Sequence, residues 1–245
     1  MDDIIKKKVS QSASSIFFKG LLAGFFIAIA SMLSIVVSSS INNYSISKIL
    51  SALVFPIGLI LVVLFKTELF TGNCLVIMPI LNKEVKIKDS LKLLIVSYLG
   101  NFVGALFAVL LISSTNHFMI NDYLIGNATI KTALNKINLS ALNAFTLGIL
   151  CNILVCSAVY LASTSKSYVE KVLSCIFPVF AFVALGFEHS IANMYYLFAG
   201  LSAERNILTS SISLSGIFNN LLFVTLGNIL GGFIIGILLN KIHKE

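Results

Sequence analysis

The sequence predicts an all-α membrane protein with six transmembrane spans, arranged as two inverted three-helix repeats with broken second and fifth helices. Three observations predict it. Of 245 residues, 58% are hydrophobic and only 11% charged, where a soluble domain carries about 25% charge. The apolar residues fall in long blocks rather than in alternation, and ~20 of them in a row suffice to cross a bilayer as a helix. Two of the blocks are too long for one span and carry matching polar interruptions. At this length, residues 1–245 form a single membrane domain with no room for a second folded unit.

The blocks run over 17–40, 48–82, 91–113, 141–163, 172–202 and 213–240. The second contains Lys66-Thr67-Glu68-Leu69-Phe70-Thr71-Gly72-Asn73, and the fifth contains Gly186-Phe187-Glu188-His189-Ser190-Ile191-Ala192-Asn193. Charges at membrane depth are expensive and default to functional positions facing the protein interior. Glycine and small polar residues beside them predict a local loss of helix, which is tolerated only inside protein or beside a water-filled cavity.

Glu68 and Asn73 are five residues apart, as are Glu188 and Asn193. In the next block of each half, Leu99-Gly100-Asn101-Phe102-Val103-Gly104 echoes Leu226-Gly227-Asn228-Ile229-Leu230-Gly231. Before the breaks, Gly20-Leu21-Leu22-Ala23-Gly24 echoes Gly148-Ile149-Leu150-Cys151-Asn152. Three echoes in one order predict duplicated halves, approximately 17–113 and 141–240. Each half holds an odd number of spans, so the second lies upside down relative to the first. Inverted repeats with breaks at corresponding positions point to a pathway near the bilayer midplane. The glycine pairs Gly100/Gly104 and Gly227/Gly231 read as small-xxx-small surfaces for close helix packing.

The formal charge of +7 sets topology and is not a nucleic-acid footprint. Lys6, Lys7, Lys8, Lys19, Lys83, Lys86, Lys88, Lys92, Lys166, Lys171, Lys241 and Lys244 share one side of a six-span protein, 12 of the 17 basic residues. Lys48, Lys131, Lys136 and Arg205 lie on the other. The positive-inside rule places both termini in the cytoplasm, in a multi-pass protein of the cell membrane. The first apolar run is too long for a signal-peptide core. Cys74, Cys151, Cys156 and Cys175 all fall within apolar blocks and read as small buried hydrophobes, not as a disulfide or zinc framework. Of the three histidines, His117 sits in a polar loop, His189 in the membrane and His243 in the tail. A membrane haem or quinone enzyme would need several intramembrane histidines. An aquaporin-type neutral-solute channel would need Asn-Pro-Ala pairs, and the prolines are Pro56, Pro79 and Pro178 alone.

The runs Glu68-Leu69-Phe70-Thr71-Gly72-Asn73 and Gly186-Phe187-Glu188-His189-Ser190-Ile191-Ala192-Asn193-Met194 resemble the two signatures of the formate/nitrite transporter family. Lys19-Gly20-Leu21-Leu22-Ala23-Gly24 and Asn152-Ile153-Leu154-Val155-Cys156 are similar to its first- and fourth-helix patterns. The resemblance covers essentially the whole chain. It implies an aquaporin-like protomer, a pore through each subunit of a homopentamer in the lipid bilayer, and no enzymatic activity, metal or other cofactor. It also implies a small weak-acid anion as cargo, formate first, with nitrite or hydrosulfide as the alternative. His189 matches the central pore histidine, Thr71 the facing loop threonine, and Asn152 the asparagine nearby. Lys136, 16 residues before Asn152, stands where the family places a vestibule lysine. Apolar constrictions would fall on Phe55, Leu59 and Phe182 on one side of His189, and on Leu69, Phe70 and Val155 on the other.

Glu68 and Glu188 read as supports for loop amides or lysines, because carboxylates lining an anion passage would repel the cargo. Lys66 departs from the family, which usually has a small residue there. Lys66 is expected to be compensated inside the protein by Glu68 or Glu188 rather than to face lipid; the alternative is that it snorkels to water from a helix end.

Overall fold

The computed structural model describes residues 2–207 and 212–242; His243 and Lys244 lie outside the described residues. A short helix, α1 (Asp2–Val9), precedes the first long one. Short polar side chains between the apolar blocks start several of the longer helices. Ser12 caps α2 (Ala13–Ser38) by accepting from the Ser15 amide, and Asn43 caps α3 (Tyr44–Val54) in the same way. Pro56 then opens α4 (Pro56–Leu64), where its missing amide donor is harmless. After a break come α5 (Phe70–Asn73), a 3-10 turn over Cys74–Val76, and α6 (Ile77–Leu81). The first half ends with α7 (Ile87–Ser113).

A helix without a counterpart among the expected spans comes next: α8 (Ile120–Ile137). Its composition is too polar for a spanning block, and it docks on the fifth-block helix instead. Ser140 caps α9 (Ala141–Thr164). Ser167 and Glu170 form a reciprocal capping box on α10 (Tyr168–Ala184). A second break separates α10 from α11 (Ser190–Ile207), and α12 (Leu214–Ile242) closes the described chain. Among the described residues, five stretches are long and apolar enough to cross a bilayer: Ala13–Ser38, Tyr44–Leu64, Ile87–Ser113, Ala141–Thr164 and Leu214–Ile242. Their outer faces, with that of α10, carry exposed Phe18, Leu53, Ile95, Leu110, Phe177 and Phe218. Apolar cover of that extent suits lipid or a neighbouring subunit rather than water.

Glycine brings the long helices together. α2 packs along α7, and α9 along α12. Gly20 and Gly100 meet so closely that a Cβ added at Gly100 would stand 3.0 Å from the Gly20 Cα. A Cβ at Gly104 would collide with the Leu21 carbonyl, and one at Gly231 with the Ile149 carbonyl. The small-xxx-small faces are thus used up within the protomer, so they give no argument for contacts between subunits. The halves also interlock, with α5 and α6 resting on α9 and α12 while α11 rests on α2 and α7.

Both breaks are built alike. α4 ends with Lys66 in the left-handed region (φ 53°), and α10 ends with Gly186 there (φ 73°). The Thr67 amide donates to the Val62 carbonyl (3.0 Å) and the Lys66 amide to Val63 (3.2 Å). In the second break, Phe187 donates to Phe182 (2.9 Å) and Gly186 to Val183 (3.1 Å). Each is a Schellman ending, which satisfies the last carbonyls of a helix by reversing the chain.

The chain then runs extended to the next helix start, and its exposed peptide groups are collected by one asparagine per half. Asn101 Nδ2 donates to the carbonyls of Gly20 (2.7 Å) and Glu68 (2.9 Å), while its Oδ1 accepts from the Phe70 amide (2.9 Å). Asn228 Nδ2 donates to Gly148 (2.8 Å) and Glu188 (3.0 Å), and its Oδ1 accepts from the Ser190 amide (2.8 Å). Both side chains are fully buried.

Asn101→Ala or Asn228→Ala is expected to destabilise the protein by at least about 3 kcal/mol, because three buried backbone groups lose partners worth roughly 1–3 kcal/mol each. Thermal unfolding in mild detergent measures it. A variant within about 1 kcal/mol of wild type would show that water replaces the clamp.

Candidate functional site

His189 is the last residue before α11, and Thr71 is the second residue of α5. The two breaks bring these helix starts face to face. His189 Nε2 lies 2.9 Å from Thr71 Oγ1. Its Nδ1 accepts from the Ala192 amide at 3.2 Å. In the neutral ring the proton therefore sits on Nε2 and is donated to the threonine oxygen. The ring stacks on Phe182, with centroids 5.9 Å apart, and Phe182 meets Phe55 edge-on at 5.7 Å.

On one side of this layer opens a cavity of about 500 Å³ lined by Lys48, Ser51, Lys136, Glu188, Asn193 and Tyr196 among others; Phe55, Phe182 and His189 form its floor. On the other side is a far smaller apolar gap lined by Ile27, Phe55, Leu59, Leu69, Val155, Val179, Phe182 and His189. Five of the six expected constriction residues, Phe55, Leu59, Phe182, Leu69 and Val155, thus surround one gap beside His189. Phe70 does not line that gap and packs edge-on against Tyr98.

Asn152 stands behind Thr71 rather than on either cavity. Its Nδ2 donates to the carbonyls of Thr71 (3.2 Å) and Asn228 (2.5 Å), and the Cys156 thiol also donates to the Thr71 carbonyl (3.2 Å). Asn152 and Cys156 fix the peptide whose side chain meets His189. All four cysteines are buried and free.

The two glutamates are each held by a lysine and accompanied by an asparagine. Lys136 Nζ lies 2.9 and 3.1 Å from the two Glu188 oxygens, and Asn193 Nδ2 donates to Glu188 Oε2 at 2.6 Å. In the other half, Lys8 Nζ lies 2.9 Å from Glu68 Oε2 and donates to Asn73 Oδ1 at 2.8 Å. Gln11 donates to Glu68 Oε1 (2.8 Å) and bonds Lys19, while Lys92 donates to the Gln11 carbonyl (3.0 Å). The five-residue Glu/Asn spacing therefore marks two matching carboxylate–lysine supports.

Lys8 escaped sequence reading because it lies in a basic run that also sets topology. The alternation of buried Ile5 and Val9 with lysines in α1 was the available sign that this run packs as a helix. Asn101 and Asn228 belong to a sequence echo in which the neighbouring glycines predict close packing, and no local pattern marks the asparagines as clamps.

Lys66 is compensated by neither candidate partner, which overturns the expected pairing. It is exposed, in the left-handed ending of α4, and both glutamates are occupied by other lysines. The reversal of the chain after Leu64 turns its side chain out while Glu68 turns in.

A buried histidine–threonine pair, set between a basic mouth and an apolar gap within helices of membrane-spanning length, defines a polytopic helical membrane transport protein. Residues 1–242 match the formate/nitrite transporter family. A probable formate transporter of Methanothermobacter thermautotrophicus is 36% identical over 94% of this chain and 89% of its own length. The formate channel FocA of Escherichia coli K12 is 31% identical over 92% of this chain and 85% of its own. Among solved structures, a pentameric formate channel with formate bound matches with a TM-score of 0.82 and 31% identity, covering 95% of this chain and 98% of the other. An ion channel of the family matches with a TM-score of 0.85 and 28% identity over the whole of both chains. The chain belongs to the formate/nitrite transporter family.

Lys8→Met is expected to destabilise by about 3 kcal/mol, because it leaves the buried Glu68 carboxylate without its cation. Lys66→Met should stay within about 0.5 kcal/mol of wild type, as for other exposed positions. Unfolding midpoints of both variants in one detergent decide between them, and a reversed order would restore Lys66 as an interior charge.

Proposed function

We propose that the chain is a channel or transporter for small monovalent weak-acid anions, formate before nitrite or hydrosulfide, and not an enzyme. It forms one membrane domain over residues 1–245: six spans in two inverted three-helix repeats, about 17–113 and 141–240, with the second and fifth spans broken. Both termini lie in the cytoplasm, and the protein sits in the cell membrane as a homopentamer with a passage through each protomer. The matching Schellman endings and asparagine clamps support the duplicated design, and the formate-bound pentameric relative supports the assembly and cargo.

The observation that carries the reading is the His189–Thr71 pair beside the apolar gap. An anion entering such a gap faces a Born penalty on the order of 20 kcal/mol, reduced in real proteins to several. Protonating a carboxylic acid of pKa about 3.7 at pH 7 instead costs about 4.5 kcal/mol, at 1.36 per unit. The two routes are close, so the groups at the entrance decide between them. Thr71 and the Nε2–H of His189 replace water lost by the anion through hydrogen bonds, and a carboxylate that crosses protonated takes its proton from the solvent of the mouth, because the neutral ring keeps its Nε2–H. Phe55 and Phe182 shut out water at that point, and the Asn152–Cys156 hold keeps Thr71 in place.

Formate uptake by proteoliposomes, compared with nitrite, acetate and hydrosulfide, tests the cargo; no formate uptake by correctly assembled protein would reject it. His189→Asn is expected to lower formate uptake about tenfold or more, the worth of one hydrogen bond to a charged group. Wild-type formate uptake by the assembled variant would make His189 structural. Native mass spectrometry in mild detergent is expected to give a pentamer, and a stable monomer or trimer as sole species would reject that assembly.

A further inference from the structure

The mouth above His189 holds three lysines, and they are not equivalent. Lys136 is committed: both Glu188 oxygens lie within 3.1 Å of its Nζ, and the ammonium also sits 5.1 Å from the Tyr196 ring centroid. A cation so paired acts on a distant anion as half of a dipole, so its reach is short. Lys131 lies on the exposed rim. Lys48, half-buried on the cavity wall, has no carboxylate within 4.0 Å among the described residues; its ammonium lies 5.8 Å from the Tyr44 ring centroid. A Cβ built on Gly186 would come within 3.5 Å of Lys48 Nζ, which places the ammonium beside the chain reversal that leads to Glu188 and His189.

Sequence spacing on α3 continues the line. Lys48, Ser51 and Phe55 stand at i, i+3 and i+7, along one face of the helix and its cap, and all three line the cavity. An anion drawn to Lys48 would pass Ser51, whose hydroxyl donates to the Ser34 carbonyl (3.2 Å), and meet the Phe55–Phe182 edge two turns deeper. Lys136 cannot take this part without giving up Glu188, whose second oxygen also holds Asn193.

We propose that Lys48 is the recruiting cation of this mouth, binding small monovalent carboxylates ahead of the His189 layer, and that Lys136 is a structural partner of Glu188. The assignment rests on the anion-transport reading above. A single unpaired charge in a water-filled mouth raises the local anion concentration and is weakened by salt.

The test uses the full-length protein, with Lys48→Met, Lys48→Gln and Lys48→Arg. In proteoliposomes at about 10 mM salt, the two uncharged variants should take up formate about fivefold more slowly at sub-saturating concentration, the effect of removing one unit charge a few ångström from the anion. The difference should vanish by about 0.5 M salt. Lys48→Arg should behave as wild type, and formamide, an uncharged probe of similar size, should pass equally through all forms. A second arm needs no flux: formate should raise the unfolding temperature of the detergent-solubilised wild type, with about fivefold more formate needed for the same rise in Lys48→Met. Equal formate dependence in both arms, or an equal loss of formamide flux, would overturn the proposal. If wild type itself carries no formate, the transport reading fails, and the unfolding arm alone judges Lys48.

Discussion

Backbone amides and carbonyls released at membrane depth have no water to turn to, and the way this chain satisfies them governs the rest of its structure. Each break releases them twice, where one helix stops and where the next begins. The Schellman turns at Lys66 and Gly186 deal with the stops. Asn101 and Asn228 deal with the starts, each tying a first-helix carbonyl, the loop and the restarted helix into one unit. The site is a consequence. Because α5 begins at Phe70 and α11 at Ser190, Thr71 and His189 project from two helix starts that meet in the middle. The helical dipoles then present their positive ends to the same place.

Charge is arranged around that centre in a matching way. Glu68 and Glu188 are buried next to the breaks, and each is neutralised by a lysine from outside its own half-helix: Lys8 from α1, Lys136 from α8. A buried carboxylate left alone would be costly and would oppose an anion. Paired, it anchors the loop and cancels its own field. The two lysines come from elements that are peripheral to the spans, which gives α1 and α8 a structural reason to fold against the bundle.

Much of this was legible in the sequence because a membrane imposes period and length. The long apolar blocks became helices close to their expected ends, and the paired Glu/Asn spacing located both chain breaks. What stayed hidden depends on partners brought from far along the chain. Lys8 meets Glu68 across 60 positions, and Lys136 meets Glu188 across 52. No local pattern records such a meeting. Helix α8 was missed because its apolar positions cover a neighbour rather than lipid. Lys66 misled because a charge in an apolar block suggests a buried partner, whereas a left-handed helix ending can turn even a lysine outward. The constriction residues gathered around a single gap, apart from Phe70, whose direction is set by Tyr98.

The asparagine clamps also impose an order on synthesis. Asn101 is made 33 residues after Glu68, the carbonyl it holds, and Asn228 is made 40 after Glu188. At roughly 5–20 residues per second, each opened loop waits about 2–8 seconds for its asparagine to emerge from the ribosome. Until then the peptide groups of the opened loop lack that partner, and such groups cannot face lipid. The nascent segment must be kept near water or the insertion machinery until the third helix of its half arrives. Because α5 and α6 rest on α9 and α12, and Asn152 holds the Thr71 carbonyl, the first half is complete only once the second has followed it.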